Sequence, residues 1–145
     1  MASVFDVARY IVVKQNPITT MKLQKLVYYS QAWNLAWSEE PIFNEDFQAW
    51  ANGPVCPDLF RYHHGKFVVD ATFLQDVGNP DNLSDYQKDT IDKVLDFYGQ
   101  KDPSWLSNLT HMERPWKESR NGVAPGEPSS NVISKEIMQQ YYSGL

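Results

Sequence analysis

The segment from Met21 to Trp37 constrains the fold most, because it is the longest stretch of this sequence with helical periodicity. Apolar and small side chains recur along it at three- and four-residue steps, the spacing that aligns residues on one face of an α-helix. Thr19 or Thr20 can cap its start, and Glu39-Glu40-Pro41 ends it. We therefore predict a long central helix whose buried stripe consists of Leu23, Leu26, Val27, Ser30, Trp33 and Trp37.

Shorter helices are predicted on both sides of this central helix. Val4–Lys14 has helical spacing and stops before Asn16-Pro17. A helix after Leu83 is well delimited, since Ser84 and Gln87 form a capping-box pair and Gly99 follows its last turn. Three further helices are predicted at Asp58–His64, Asp102–Leu109 and Ile133–Tyr142. Another short helix is predicted to begin at Thr110, which caps it with Glu113 as its capping-box partner, and Pro115 ends or bends this helix.

Two segments have the period-two alternation of β-strands. One runs from Phe47 to Asn52, before the turn signal Gly53-Pro54, and the other covers Lys66–Phe73. We expect these segments to pair with each other. The predicted fold class is therefore mainly α, with residues 1–145 forming a single compact helical domain that is built on the central helix and has a small two-stranded β element.

The charge balance argues against several classes of partner. Thirteen basic and eighteen acidic residues give a net charge of −5, whereas proteins that bind nucleic acid concentrate Lys and Arg. The single cysteine, Cys56, cannot form an internal disulfide, and no Cys/His spacing resembles a zinc site. Neither a signal peptide nor a transmembrane run is present. We expect a cytoplasmic protein with no cofactor, no metal, no membrane association and no direct nucleic-acid partner.

The sequence contains cysteine and histidine, which thiol-dependent enzymes use, but it lacks the motifs that mark a catalytic site. Cys56 with His63, His64 or His111 supplies the components of a thiol-dependent enzyme, but no local signature brings them together. A lone cysteine between apolar residues is typical of core packing. We place His63-His64 at a solvent-facing helix end, where imidazolium interacts favourably with the helix dipole.

Two features indicate a protein partner. Lys22 and Lys25 are neighbours on the central helix and, with Lys14, form either an ordinary solvated face or a partner-facing patch. Aromatic residues make up 14% of the chain, more than a core of this size needs, and Trp and Tyr are enriched at interfaces. We assign at least three of the five tryptophans to the core and expect the excess to form an interaction surface.

Three ordered motifs resemble a known family. The first is Met21-Lys22-Leu23-Gln24-Lys25-Leu26-Val27-Tyr28-Tyr29, the second is Trp50-Ala51-Asn52-Gly53-Pro54-Val55, and the third is Leu109-Thr110-His111-Met112-Glu113-Arg114-Pro115-Trp116. Together they resemble the signature segments of the SocA-like antitoxins, also called the Panacea domain and formerly described as GepA-like or phage-associated. Any one motif alone is weak, whereas the three in order, spread along most of the chain, are specific.

The resemblance implies a mostly helical, non-enzymatic antitoxin of a type II toxin–antitoxin pair, often in prophages, that neutralises a co-encoded toxin by direct binding. Family members are paired with many unrelated toxins, so the resemblance leaves the target open. The chain begins directly with the Panacea-like region, so operator binding is not expected. The motif residues that we interpret as scaffold are Leu23, Gln24, Leu26, Trp50, Gly53, Pro54, Val55, Thr110, His111, Pro115 and Trp116.

The toxin-contacting surface is expected on the N-terminal helix, on the lysine-bearing face or on the Gly- and Pro-containing segment Asn121–Asn131. The candidate partner-binding residues are Lys14, Lys22, Lys25 and Tyr29. Two alternatives stay open: an adaptor that delivers its partner to a protease, and an enzyme that uses Cys56 or His111 to modify its partner. DNA binding is a further alternative, against which the acidic net charge counts.

Overall fold

The computed structural model describes residues 1–145 and has a long helix, α2 (Thr20–Ser38), at its centre. The Thr19 hydroxyl caps it by accepting a hydrogen bond from the Lys22 backbone N–H, and Glu39 ends it in the left-handed conformation. Every residue from Leu23 to Ala32 is buried, so this stretch has no solvent-facing side. The predicted central helix is confirmed, whereas the expected one-sided stripe is wrong, because neighbouring elements cover the stretch from Leu23 to Ala32 on every side, while Trp37 near the end of α2 is exposed.

The covering elements are helices that precede and follow α2 in the chain. They are α1 (Val4–Lys14), α3 (Pro57–His63), α4 (Asp85–Tyr98), α5 (Pro103–Met112), α6 (Arg114–Ser119) and α7 (Lys135–Ser143). Ser3 and Asp6 form a capping box at the start of α1, and Ser84 and Gln87 form the predicted one at the start of α4. The helices that pack most extensively against α2 are α1, α4, α5 and α7.

The break between α5 and α6 differs from the prediction. Thr110 lies inside α5, where its hydroxyl donates to the Ser107 carbonyl oxygen instead of capping a new helix. Glu113 separates the two helices, and its side chain points inward, so it is not a capping-box partner. Pro115 lies in the first turn of α6, where a missing N–H costs nothing. Local cap signals alone therefore misplace this boundary.

The strands form two small antiparallel sheets. The expected pairing of the Phe47 segment with Lys66–Phe73 is wrong, because each segment pairs with a different part of the chain. Strand β2 (Phe47–Trp50) lies between β3 (Gly53–Val55) and β5 (Val132–Ile133). Strand β1 (Ile18–Thr19) pairs with β4 (Val68–Val69). The predicted class, mainly α with a small β element, is confirmed. None of the helices has the length and hydrophobicity that a bilayer crossing requires.

Two buried glutamines of α2 hold neighbouring extended segments through their backbones. The Gln24 side chain accepts from the Cys56 N–H at 2.9 Å and donates to the Cys56 carbonyl at 3.2 Å. One heptad along the helix, Gln31 accepts from the Ile42 N–H at 2.7 Å and donates to the Phe43 carbonyl at 2.7 Å. Each amide therefore hydrogen-bonds buried backbone groups that lie outside the strands, although the Cys56 carbonyl also accepts from the Phe60 N–H at 3.0 Å. Both glutamines thereby attach irregular segments of the chain to the central helix.

Candidate functional site

Three large aromatic side chains on neighbouring helix ends are exposed. Trp37 near the end of α2 is 47% exposed, Phe97 near the end of α4 is 55% exposed, and Trp105 in the first turn of α5 is 40% exposed. We call these three residues the aromatic surface. The buried stripe of α4 consists of Thr90, Ile91, Val94, Leu95 and Tyr98, which leaves Phe97 directed away from the core.

The aromatic surface rests on other rings and is therefore held rigidly. Trp37 packs on Trp33 with ring centroids 5.3 Å apart, and the Trp33 indole N–H donates to the Tyr98 hydroxyl at 2.9 Å. Phe97 contacts Tyr98 edge-on at 4.7 Å and Trp105 at 6.4 Å. Rings fixed in this way lose little side-chain entropy on binding, as interface anchors require.

Two lysines lie over these exposed rings. Lys93 Nζ is 5.5 Å from the Trp37 ring centroid. Lys101 Nζ is 5.4 Å from the centroid of Phe97 and 4.8 Å from that of Trp105. Cation–π contacts of this kind are attractive. The Lys93 ammonium is also paired with Asp89 Oδ2 at 2.9 Å, whereas Lys101 forms no ion pair and is available to acidic groups of a partner. The region thus combines the aromatic and cationic groups that are enriched at protein interfaces.

The predicted partner-binding lysines of the N-terminal region have intramolecular partners. Lys14 Nζ forms an exposed ion pair with Asp92 Oδ1 of α4 at 3.0 Å, and this hydrogen bond raises the pKa of Lys14. Lys22 Nζ donates to the Gly99 carbonyl at 2.7 Å, close to the C-terminus of α4. Partial burial lowers the pKa of Lys22. Both side chains therefore connect α4 to other helices, and Lys14 is the more exposed of the two.

Lys25 and Tyr29 cannot form the predicted partner-facing patch, because both side chains are buried within the fold. The Tyr29 ring stacks on Tyr98 at 4.1 Å, and its hydroxyl donates to Glu113 Oε1 at 2.7 Å. Lys25 points beneath the β2–β3 hairpin, towards the Pro54 carbonyl. The predicted patch requires charged positions on α2 to face solvent, but α2 has no solvent-facing side at Lys25 and Tyr29.

A buried carboxylate surrounded by tyrosines lies next to α2. Glu113 Oε1 accepts from Tyr29 and, at 2.8 Å, from the Tyr142 hydroxyl, which is 3.1 Å from that of Tyr28. Burial raises the pKa of Glu113, and the two tyrosine hydrogen bonds oppose this only in part. No lysine or arginine pairs with Glu113, so its ionisation has no neighbouring positive charge to stabilise it.

Glu113→Gln is expected to flatten the pH dependence of stability over the pH range that lies above the ordinary glutamate pKa of 4.5. Because the folded-state pKa of Glu113 lies above its ordinary value of 4.5, the folded protein retains a proton there that the unfolded chain has released. Stability from this group therefore falls as the pH rises through that range. Urea unfolding at a series of pH values measures the effect, and exposed Glu127→Gln is the matched control. Equal pH profiles for wild type and Glu113→Gln would contradict the prediction.

The residues interpreted as scaffold lie around the β2–β3 hairpin. The Trp116 indole N–H donates to the Trp50 carbonyl at 2.8 Å, and the His111 ring stacks on Trp116 at 4.2 Å. Gly53 has φ +120°, and a Cβ there would lie 2.6 Å from Lys25 Cε. Leu23, Leu26, Pro54, Val55, Thr110 and Pro115 are also buried.

The tryptophans are less buried than expected. Trp116 is buried, Trp33 and Trp50 are half-buried, and Trp37 and Trp105 are exposed, so fewer than three lie fully in the core. The aromatic excess did indicate an exposed surface, but it did not identify Phe97. The sequence signal that could have identified Phe97 as exposed is its position outside the apolar stripe of α4.

The residues of the enzymatic alternative are also placed differently from expectation. His63 was expected to face solvent, yet it is buried, with its Nε2 2.9 Å from Gln24 Nε2, while His64 is exposed. Burial raises the pKa of the Cys56 thiol to about 12. Since the thiolate is the nucleophilic form, Cys56 lacks the activated state that thiol catalysis uses at neutral pH.

Two comparisons with known proteins found relatives. The family model described as "Antitoxin SocA-like, Panacea domain" matches residues 23–117, more than half of the chain. Antitoxin SocA of Caulobacter vibrioides (strain NA1000 / CB15N) is 28% identical over 117 residues, an alignment that covers 73% of this chain and 62% of that protein. The chain thus spans less than two thirds of the length of this curated relative. No solved structure matches the present chain.

Proposed function

The chain belongs to the SocA-like, Panacea-domain antitoxins, and from that premise we propose that it neutralises a co-encoded toxin by stoichiometric protein–protein binding through the aromatic surface. Trp37, Phe97 and Trp105 support this proposal, because they form an exposed group of large aromatic side chains that is held in place by neighbouring rings. In this proposal, binding blocks the working surface of the toxin or holds the toxin inactive, and the antitoxin carries out no chemical step.

The chemistry of the region suits such a partner. A stable protein interface buries roughly 800 Å² on each partner, with a few aromatic anchors at its centre and polar groups at its rim. The three rings supply the anchors, and Lys101, which forms no ion pair within the chain, supplies a cationic group beside them. We therefore expect the toxin to present an apolar patch bordered by acidic residues.

Co-expression with the product of the adjacent open reading frame tests this proposal. The wild-type chain should restore growth and co-purify with the toxin. Trp37→Ala and Phe97→Ala should each weaken the complex by roughly 30-fold, the effect of losing a 2 kcal/mol anchor, and the double variant should fail to rescue growth. Phe67→Ala is the matched control, because Phe67 is 77% exposed but lies before β4, outside the aromatic surface.

The outcomes separate the alternatives. If the Trp37/Phe97 double variant is folded and still rescues growth fully, the aromatic surface is not the binding site. If the wild-type chain neither rescues nor co-purifies, stoichiometric neutralisation is excluded for that pair. Rescue accompanied by falling toxin levels in a pulse-chase experiment, without a stable complex, would instead support the adaptor alternative.

A further inference from the structure

A cavity of about 660 Å³ lies under the β2–β3 hairpin, between α2 and α3, away from the aromatic surface. Its apolar lining comes chiefly from Met21, Trp50, Val55 and Phe60. The Trp50 and Phe60 rings meet edge-to-face, 4.9 Å between centroids. Lys25 of α2 also lines the cavity. The space is large enough for a small organic group and has both an apolar wall and a cationic group.

Lys25 is a buried cation without an anion. Its side chain is 1% exposed, and its only hydrogen bond is a long one of 3.5 Å to the Pro54 carbonyl. It forms none of the five ion pairs of the structure. A lysine ammonium has three donors, and a buried charge is normally paired. Two of the three donors of Lys25 thus have no protein acceptor.

The remaining polar groups of the cavity add no charge. The Gln24 side-chain oxygen accepts from the Cys56 N–H, so its amide nitrogen faces His63 Nε2 at 2.9 Å. That ring nitrogen must therefore accept the hydrogen bond, which makes His63 a neutral imidazole protonated at Nδ1. Burial lowers the pKa of His63, in agreement with the neutral form. Lys25 is consequently the single positive charge that faces the cavity.

We propose that this cavity is a binding site for a carboxylate carried on an apolar or aromatic body, with Lys25 as its counter-ion. One ammonium matches one negative charge, whereas a phosphate dianion would leave a charge unpaired in a chain whose net charge is −5. Trp50 and Phe60 provide the apolar contact surface for the body of the ligand. The first turn of α2 borders the cavity, and the positive end of its dipole also favours an anion.

The carboxylate could be supplied by a small molecule or by a peptide, and the two sources share the same chemistry. The proposal does not depend on the proposed antitoxin function, because its test needs no toxin. Purified full-length chain labelled with ¹⁵N is titrated with 3-phenylpropionate and with 3-phenylpropanamide, its neutral amide. A second titration uses an acetylated tripeptide ending in Phe, as the free acid and as the amide. Shifts of the Gln24 and Gln48 side-chain amides and of the Trp50 indole report binding in the cavity.

At least one of the two acids should bind at least tenfold more tightly than its amide. Whichever acid binds more tightly identifies the source. Lys25→Met should remove this preference while leaving the rest of the spectrum folded, and Lys22→Met, which changes a lysine outside the cavity, should retain it. Equal affinity for acid and amide, no binding of any probe at 10 mM, or tighter binding of phenyl phosphate than of phenylpropionate would overturn the proposal. The acid–amide comparison uses wild-type protein only, so it decides the matter even if Lys25→Met does not fold.

The pH dependence gives an independent measurement on wild-type protein. Burial lowers the pKa of Lys25 to about 8. The other titratable groups that face Lys25 are His63 of α3 and His111 of α5, whose pKa values are also lowered by burial. Affinity for the acid should be constant from pH 7 to about 8 and should fall at higher pH, because free Lys25 then loses its proton. An affinity that rises above pH 8 would contradict the assignment of Lys25 as counter-ion.

Discussion

Gln24→Leu is expected to lower the free energy of unfolding by about 1–3 kcal/mol, since leucine leaves the buried Cys56 N–H without a partner, while the Cys56 carbonyl keeps its bond from the Phe60 N–H. In the wild-type protein the Gln24 amide binds the Cys56 N–H at 2.9 Å and its carbonyl at 3.2 Å. Cys56 is fully buried, so water cannot replace these bonds. Leucine has nearly the same volume as glutamine, so the loss reports the polar groups rather than a cavity. Urea denaturation followed by circular dichroism measures the change.

A matched control for this substitution is available on α7. Gln140 is an exposed helical glutamine whose side chain forms no hydrogen bond, so Gln140→Leu should change stability by less than about 0.5 kcal/mol. Gln31→Leu should resemble Gln24→Leu, because Gln31 binds the Ile42 N–H and the Phe43 carbonyl in the same way. A loss below about 1 kcal/mol for Gln24→Leu would show that these bonds contribute little to the fold.

Gly53→Ala is expected to cost about 2–4 kcal/mol, because the position combines backbone strain with a steric clash. Gly53 has φ +120°, which L-residues rarely adopt, and it begins β3 directly above Lys25. A Cβ there would lie 2.6 Å from Lys25 Cε and 2.9 Å from Thr110 Oγ1. Thermal and urea unfolding of the variant measure the loss.

Two further variants separate strain from clash. Gly65 has φ +84° and open space where a Cβ would lie, so Gly65→Ala should cost only about 1 kcal/mol through backbone strain. In a Lys25→Ala background the Cε atom is absent, and the cost of Gly53→Ala should fall there by about 1 kcal/mol or more. Equal costs in the two backgrounds would show that Lys25 moves aside freely and that backbone strain and the Thr110 contact account for the loss.

Local signals predicted the helices better than the sheets. The long periodic run from Met21 and the Ser84–Gln87 capping box marked α2 and α4 correctly, because those signals act within a few residues. The partners of β2 lie at Gly53–Val55 and Val132–Ile133, and the second of these cannot be read from local alternation. Pairing at that separation depends on how the intervening helices pack.

The candidate sites were predicted only in part. The aromatic excess indicated an exposed ring surface, but exposure at Trp37 and Phe97 depends on which side of each helix the neighbouring helices cover. Lys25 was expected on a solvated face, since lysine is rarely fully buried. Its burial follows from the β2–β3 hairpin closing over α2, which one-dimensional periodicity does not reveal.

The enclosure of the middle of α2 has a consequence for protein engineering. From Leu23 to Ala32 every side chain contacts the interior, so random substitutions in this stretch will mostly yield chains that no longer fold. A mutagenesis library intended to redirect this scaffold to a new binding partner should therefore keep α2 constant. Diversity is better placed at exposed positions of α4 and α5, such as Asp89, Lys93, Phe97, Ser104, Trp105 and Asn108. Two short helices can then be varied while the buried helix preserves the fold.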